Sequence, residues 1–237
     1  MLIDKWNIAE AGGRQWKVVH SPSDTSNSSV WDAGVVSPAL IESQIGGKTL
    51  KITLQVKGTS RQAIQNNISE IITHLLEPCE LTLDGFTHTF YGVAIKFTSS
   101  EFKQESSHRL QFEFLCFELA GIVKGQTERI DSLTLTNAGN IPCPLILTIT
   151  PTVGLGKLYI SGVFQEPFSK LDRGFTINSL VTDQSVVIDG ETGIVKNGDV
   201  LADAEFYQFP ILQPGKNIIT FSTDFINVNY QYRPRFL

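Results

Sequence analysis

The stretch TLKITLQVK, Thr49–Lys57, alternates without a break. Leu50, Ile52, Leu54 and Val56 fall on one side, and Lys51, Thr53, Gln55 and Lys57 on the other. That is the period of a β-strand with one buried face. The rhythm recurs downstream. ELTLDGFTHTF (80–90) reads as a hairpin joined at Asp84-Gly85, a pair that tolerates the positive φ angles of a tight turn. GVAIKF (92–97) and RLQFEFLCFEL (109–119) read as further strands. Residues 98–108 between them, TSSEFKQESSH, are polar around a lone Phe102 and read as a protruding hairpin arm. One segment breaks the alternation. In SRQAIQNNISEIITHLL (60–76), Ile64, Ile68, Ile71, Ile72, Leu75 and Leu76 recur mainly at spacings of three and four, which predicts an amphipathic helix. Thr59 and Gln62 fit a capping box at its start, and Pro78 lies just past its end.

Two glycines and several polar residues in GIVKGQTE (121–128) interrupt the strands, so the expected domain boundary falls between 125 and 126. After it come SLTLTNAG, PLILTIT, KLYISGV, GFTINS and SVVID, short strands punctuated by Gly, Pro and Asn. This spacing predicts an antiparallel sandwich. Near the end, Ile226, Val228, Tyr230 and Tyr232 alternate with Asn227, Asn229 and Gln231, and Pro234 stops the ladder. The fold class expected is mainly β with one amphipathic helix, in two domains, 1–125 and 126–237.

Composition excludes several functions. The 237 residues carry a formal net charge of −5, and neither half is basic, so no phosphate-gripping surface is expected. The first residues, Met1-Leu2-Ile3-Asp4-Lys5-Trp6, lack the pattern of a secretion signal, and no apolar run approaches a membrane span. The three cysteines, Cys79, Cys116 and Cys143, are odd in number and set among apolar residues, which predicts buried, reduced thiols in a protein made in a cytosol.

Reactive constellations are hard to assemble. His20, His74, His88 and His108 have no His or Cys neighbour at metal-ligand spacing. His20 and Asp24 lie in a loop-like, serine-rich stretch without a nucleophile elbow. Gly154 and Gly156 in TVGLGKL precede no helix and read as a turn. Asp183, Asp189 and Glu191 read as turn carboxylates rather than as a catalytic pair or a calcium site. No catalytic residue, metal ligand or cofactor is expected, and the chain is read as a non-enzyme. Tyr207, Phe209, Tyr230 and Tyr232 could form an aromatic platform for sugars, and core packing explains them equally well.

The stretch from Val186 to Ser222 contains an ordered series: Ile188-Asp189, Gly193, Val195, Asn197-Gly198, Phe209-Pro210, Leu212, Pro214-Gly215 and Asn217. A strand ending Tyr232-Arg233-Pro234-Arg235 closes it. This resembles the C-terminal domain of the distal tail protein (Dit) family of long-tailed, non-contractile phages and prophages. The helix-bearing first half, its LDGFTHTFYG hairpin and the exit through FLCFELAG fit the same family. The resemblance implies an N-terminal ring-forming domain and a C-terminal galectin-like β-sandwich. It implies a virion structural protein forming a hexameric ring at the distal tail end, joining the tail tube to the baseplate hub. The implied partners are copies of itself, the tube protein, the hub protein and a receptor-binding protein, with DNA passing through the ring without specific binding and no membrane contact. The implied location is the virion tail tip, after assembly in the bacterial host cytoplasm. Phe97, Phe102, Leu110 and Phe112, in and beside the arm, are the expected oligomer contacts. The alternative reading is a carbohydrate-binding module acting in host-surface recognition.

Overall fold

The structure, a computed structural model, describes residues 1–21, 25–30, 39–99, 106–162, 174–206 and 208–237. Its contacts divide the chain into two compact units, Met1–Leu119 with Leu237, and Ala120–Phe236.

The first unit is a twisted antiparallel sheet around its own core. Strand β1 (Leu2–Ile3) pairs with β2 (Trp6–Asn7) and with β7 (Cys79–Thr82). Strand β7 is followed by β8 (Thr89–Ser99), β9 (Ser107–Leu119), β6 (Lys48–Lys57) and, at the far edge, β3 (Gly13–Ser21). Strands β4 (Thr25–Val30) and β5 (Ala39–Ile45) form a separate two-stranded ribbon. The alternation in β6 is realised residue by residue: Leu50, Ile52, Leu54 and Val56 are all fully buried. Each such side chain contributes about 1.5–3 kcal/mol by leaving water. They meet Leu110, Phe112 and Phe114 of β9 in one cluster.

Helix α1 (Arg61–Thr73) closes that core with Ile64, Ile68 and Ile71. The cap differs from the expected box. Ser60, not Thr59, is the N-cap, and its Oγ accepts from the Ala63 N–H at 3.1 Å. Gln62 instead donates to Asn66 at 3.0 Å. Leu76 leaves the stripe and is exposed, because the chain tightens after Thr73 with the Leu75 N–H donating to the Ile72 carbonyl at 2.9 Å. The expected tight turn at Asp84-Gly85 is present, closed by the Phe86 N–H donating to the Leu83 carbonyl at 3.3 Å, although β7 and β8 begin to pair only further out, at Leu81 and Phe90. Gly85 has φ 87°, while the Asp84 carboxylate is drawn to the Met1 ammonium at 2.8 Å.

At the end of this sheet Glu118 receives Lys48 Nζ at 2.8 Å and His88 Nδ1 at 2.6 Å. Burial acts to raise the Glu118 pKa, but hydrogen bonds and positive charge from Lys48 and His88 outweigh it, so the carboxyl sits below its ordinary value. A depressed carboxyl stabilises the fold above its unfolded pKa, and that contribution is lost as pH falls through the folded one. Glu118→Gln is expected to cost about 1–2 kcal/mol at neutral pH, since it leaves Lys48 without its carboxylate. It is also expected to flatten the acid limb of urea denaturation below about pH 4.5, the ordinary glutamate range. An unchanged acid limb would remove this network from the stability of the unit.

The second unit is a two-sheet antiparallel sandwich. One sheet is seven-stranded: β10 (Val123–Glu128), β21 (Ile226–Tyr232), β12 (Cys143–Pro151), β15 (Val186–Asp189), β16 (Ile194–Asn197) and β17 (Val200–Leu201), with β19 (Ile211–Leu212) added to β12. The other is five-stranded: β11 (Ser132–Asn137), β20 (Gly215–Phe221), β13 (Leu155–Ser161), β14 (Phe175–Leu180) and β18 (Ala204–Glu205). Leu145, Leu147, Ile149 and Val228 of the first sheet share a core with Leu133, Ile160, Phe175 and Ile219 of the second.

The residues expected to form a linker are therefore a strand, and the division falls after Leu119 rather than at 125/126. β10 pairs with β21 from Val123↔Tyr232 to Glu128↔Asn227. Gly125 lies opposite Tyr230, whose ring occupies the space a Cβ would need. The glycine that reads as part of a domain boundary is a seat for an aromatic ring.

Candidate interaction surfaces

The residues considered for chemistry do not converge. The His20 ring lies 5.0 Å from Phe86 and 6.0 Å from Phe90, in aromatic packing, and Asp24 lies outside the described residues. His74 stacks on Trp6 at 4.1 Å. Asp189 accepts from the Glu191 and Thr192 N–H groups at 2.8 and 3.1 Å, the geometry of a turn. Burial would raise its pKa, but the Thr192 and Glu191 hydrogen bonds hold it down. Glu191 turns away to Arg235, 3.3 Å distant. Among the described residues no group of three His, Cys, Asp or Glu side chains could hold a metal ion. The thiols of Cys79, Cys116 and Cys143 are free and buried, and burial pushes their pKa values up to about 12, 12 and 11.

What the first unit presents is a surface. Core residues of β6 and β9 face α1, so the alternate residues form an outer face. Two β-bulges re-aim this face. The β3–β6 register shifts at Trp16, and the β8–β9 register shifts at Ile95. Trp16 is 57% and Ile95 53% exposed. Tyr91 and Leu115 are exposed on the neighbouring strands β8 and β9, and the Tyr91 ring lies 5.6 Å from that of Phe117. The Arg109 guanidinium covers Trp16 at 5.4 Å from the ring centre. Exposed apolar groups gathered in this way mark contact surfaces more often than scattered ones do.

The expected contact residues distribute unevenly. Leu110 and Phe112 are buried in the core of their own unit. Phe97 is half-buried, 6.1 Å from the Phe112 ring. Phe102 lies outside the described residues, as does the tip of the arm. Alternation in RLQFEFLCFEL already separates Leu110 and Phe112 from Arg109 and Gln111. Trp16 and Ile95 were missed, because a bulge leaves no periodic trace.

The second unit offers an open groove of about 400 Å³ on the outer face of β10, β21 and β12. It is lined by Lys124, Gln126, Ile146, Thr148, Asn229 and Gln231, with Gly125 and Tyr230 completing the wall. Of the four aromatics that could form a platform, the three described ones follow the core-packing alternative. Tyr232 is buried and its hydroxyl donates to the Thr136 carbonyl at 2.9 Å. Phe209 and Tyr230 pack against the core, and Tyr207 lies outside the described residues. The carboxamides on either side of Tyr230, Asn229 and Gln231, reach the groove instead.

No protein-family profile and no curated protein sequence matches this chain. Solved structures do. SPP1 Dit, described as a paradigm of the hub adsorption apparatus in phages infecting Gram-positive bacteria, matches with a TM-score of 0.72 at 11% identity, over 100% of this chain and 98% of that one. A chain of the phage P2 baseplate, in its activated conformation with Ca, matches with a TM-score of 0.52 at 9% identity, over 96% and 92% of the two chains. The likeness is one of fold: this chain has the fold of SPP1 Dit from end to end.

Proposed function

We propose that the chain is a virion structural protein at the distal end of a long, non-contractile phage tail, where copies close into a hexameric ring that joins the tail tube to the baseplate hub. One observation carries the reading. Both units match SPP1 Dit in order, over all of this chain and nearly all of that one, so the likeness extends beyond a shared β-sandwich. The chemistry of the chain fits a scaffold. Its side chains form contact faces, and its net charge of −5 lets DNA pass without being held.

A closed ring needs two different patches of each subunit to meet. In this proposal the arm supplies one patch, through Phe97 and Phe102, and the outer face with Trp16, Tyr91, Ile95 and Leu115 receives it from a second copy. Leu110 and Phe112 then hold the arm strands from inside. Native mass spectrometry and negative-stain imaging test this, with tube and hub proteins added. Closed rings are expected from the wild type, and monomers of unchanged stability from Ile95→Glu. Monomers alone from the wild type, even with partners, would sink the ring. Rings that persist in Ile95→Glu would sink the assigned patch and leave the ring standing.

A further inference from the structure

The outer face of the β10–β21–β12 sheet is ordered in rows. Lys124, Gln231 and Ile146 stand side by side across three strands, then Gln126, Asn229 and Thr148, then Glu128, Asn227 and Thr150. The rows differ in what their polar atoms do. In the last, Asn227 accepts from the Arg129 N–H at 3.3 Å, and the Thr150 hydroxyl bonds to Ser185 at 2.7 Å. In the first two, the side chains of Gln126, Thr148, Asn229 and Gln231 make no hydrogen bond to any described residue. These two rows are the ones that line the groove.

Three carboxamides and a hydroxyl that face one cavity without internal partners constrain what can fill it. Each amide offers a donor and an acceptor in one plane. A ligand that covers them without returning hydrogen bonds costs about 1–3 kcal/mol for each group left unmade. An apolar protein surface therefore does not suit the site. A nucleic acid finds only Lys124 as a cation in the lining, and Glu128 at the other end of β10 offsets it. A chain of hydroxyl groups, each able to donate and accept, matches the amides in density and kind. Ile146 supplies an apolar spot against which the C–H face of a sugar ring can lie. The volume falls within the usual range for small-ligand sites, about 300–1,000 Å³.

We propose that this groove binds an uncharged saccharide, with Gln126, Asn229 and Gln231 holding its hydroxyls and Ile146 under a ring face. The site lies within one unit and stands independently of the ring assignment. The test is an NMR titration of the full chain with maltotetraose, cellotetraose and triacetylchitotriose. At least one of these probes is expected to shift amide signals at 124–126, 146–148 and 229–231. Binding is expected to weaken tenfold or more in Asn229→Ala and in the isosteric Asn229→Asp, and to stay unchanged in Lys57→Ala on the first unit. Outward-facing side chains are replaced, so melting temperatures serve as the check on folding. No shift with any of the three sugars overturns the proposal, and so does binding indifferent to both Asn229 variants. Groove signals that move with protein concentration alone also overturn it, by assigning the face to a contact between copies.

Discussion

Asn137→Ala is expected to destabilise the second unit by about 3 kcal/mol, the sum of more than one orphaned polar group. Asn137 is 1% exposed, and its side chain ties three segments together. Nδ2 donates to the Ile141 carbonyl at 3.0 Å and to the Leu212 carbonyl at 3.2 Å, while Oδ1 accepts from the Gly139 N–H at 2.9 Å. Alanine removes both donors and the acceptor and leaves the backbone groups facing one another without water. Replacement of Gly139 offers no relief, since a Cβ there meets the Arg235 backbone. Amide hydrogen exchange measured across β11 and β12 reads the loss in this unit directly. A change below about 1 kcal/mol would show that water takes over the role of the carboxamide.

Phe112→Ala is expected to cost the first unit about 3–5 kcal/mol, the range for a large core side chain replaced by a methyl group. Its ring is fully buried between those of Phe97 and Phe114, at 6.1 and 6.4 Å. Paired with Ile95→Glu, this variant separates two roles that a hydrophobic residue near the arm can have. Phe112→Ala is expected to lower the urea midpoint of the isolated chain. Ile95→Glu is expected to leave that midpoint in place and to change assembly alone. Equal effects of both on the midpoint would mean that Ile95 belongs to the core.

The strands that alternate were legible from sequence, because burial on one face writes period two into the chain: β6, β9, β12 and β21 all lie where that pattern places them. The helix was legible for the same reason at period 3.6, although its cap was assigned one residue early. Failures came where one residue's identity answers to a distant partner. Gly125 signals a linker until Tyr230 is seen above it. Asp84-Gly85 signals a turn and forms one, but nothing local to it shows that the chain's own amino terminus clasps Asp84. The contact surfaces were the least legible. Trp16 and Ile95 owe their exposure to register shifts, which depend on two strands at once. Between the two readings left open for the tyrosines, core packing holds for Tyr230 and Tyr232, which share a period with Ile226 and Val228 and are drawn inward with them. Their polar neighbours Asn229 and Gln231 were visible in the sequence, but their lack of internal partners was not.

The masked sulfurs make the chain its own reporter. A thiol-specific chromophore added to the native protein has nothing to attack until a segment opens, since each thiol is both covered and held protonated. Cys79 and Cys116 lie in one unit and Cys143 in the other, so labelling traces taken during heating, resolved by peptide, tell which half yields first without any engineered tag.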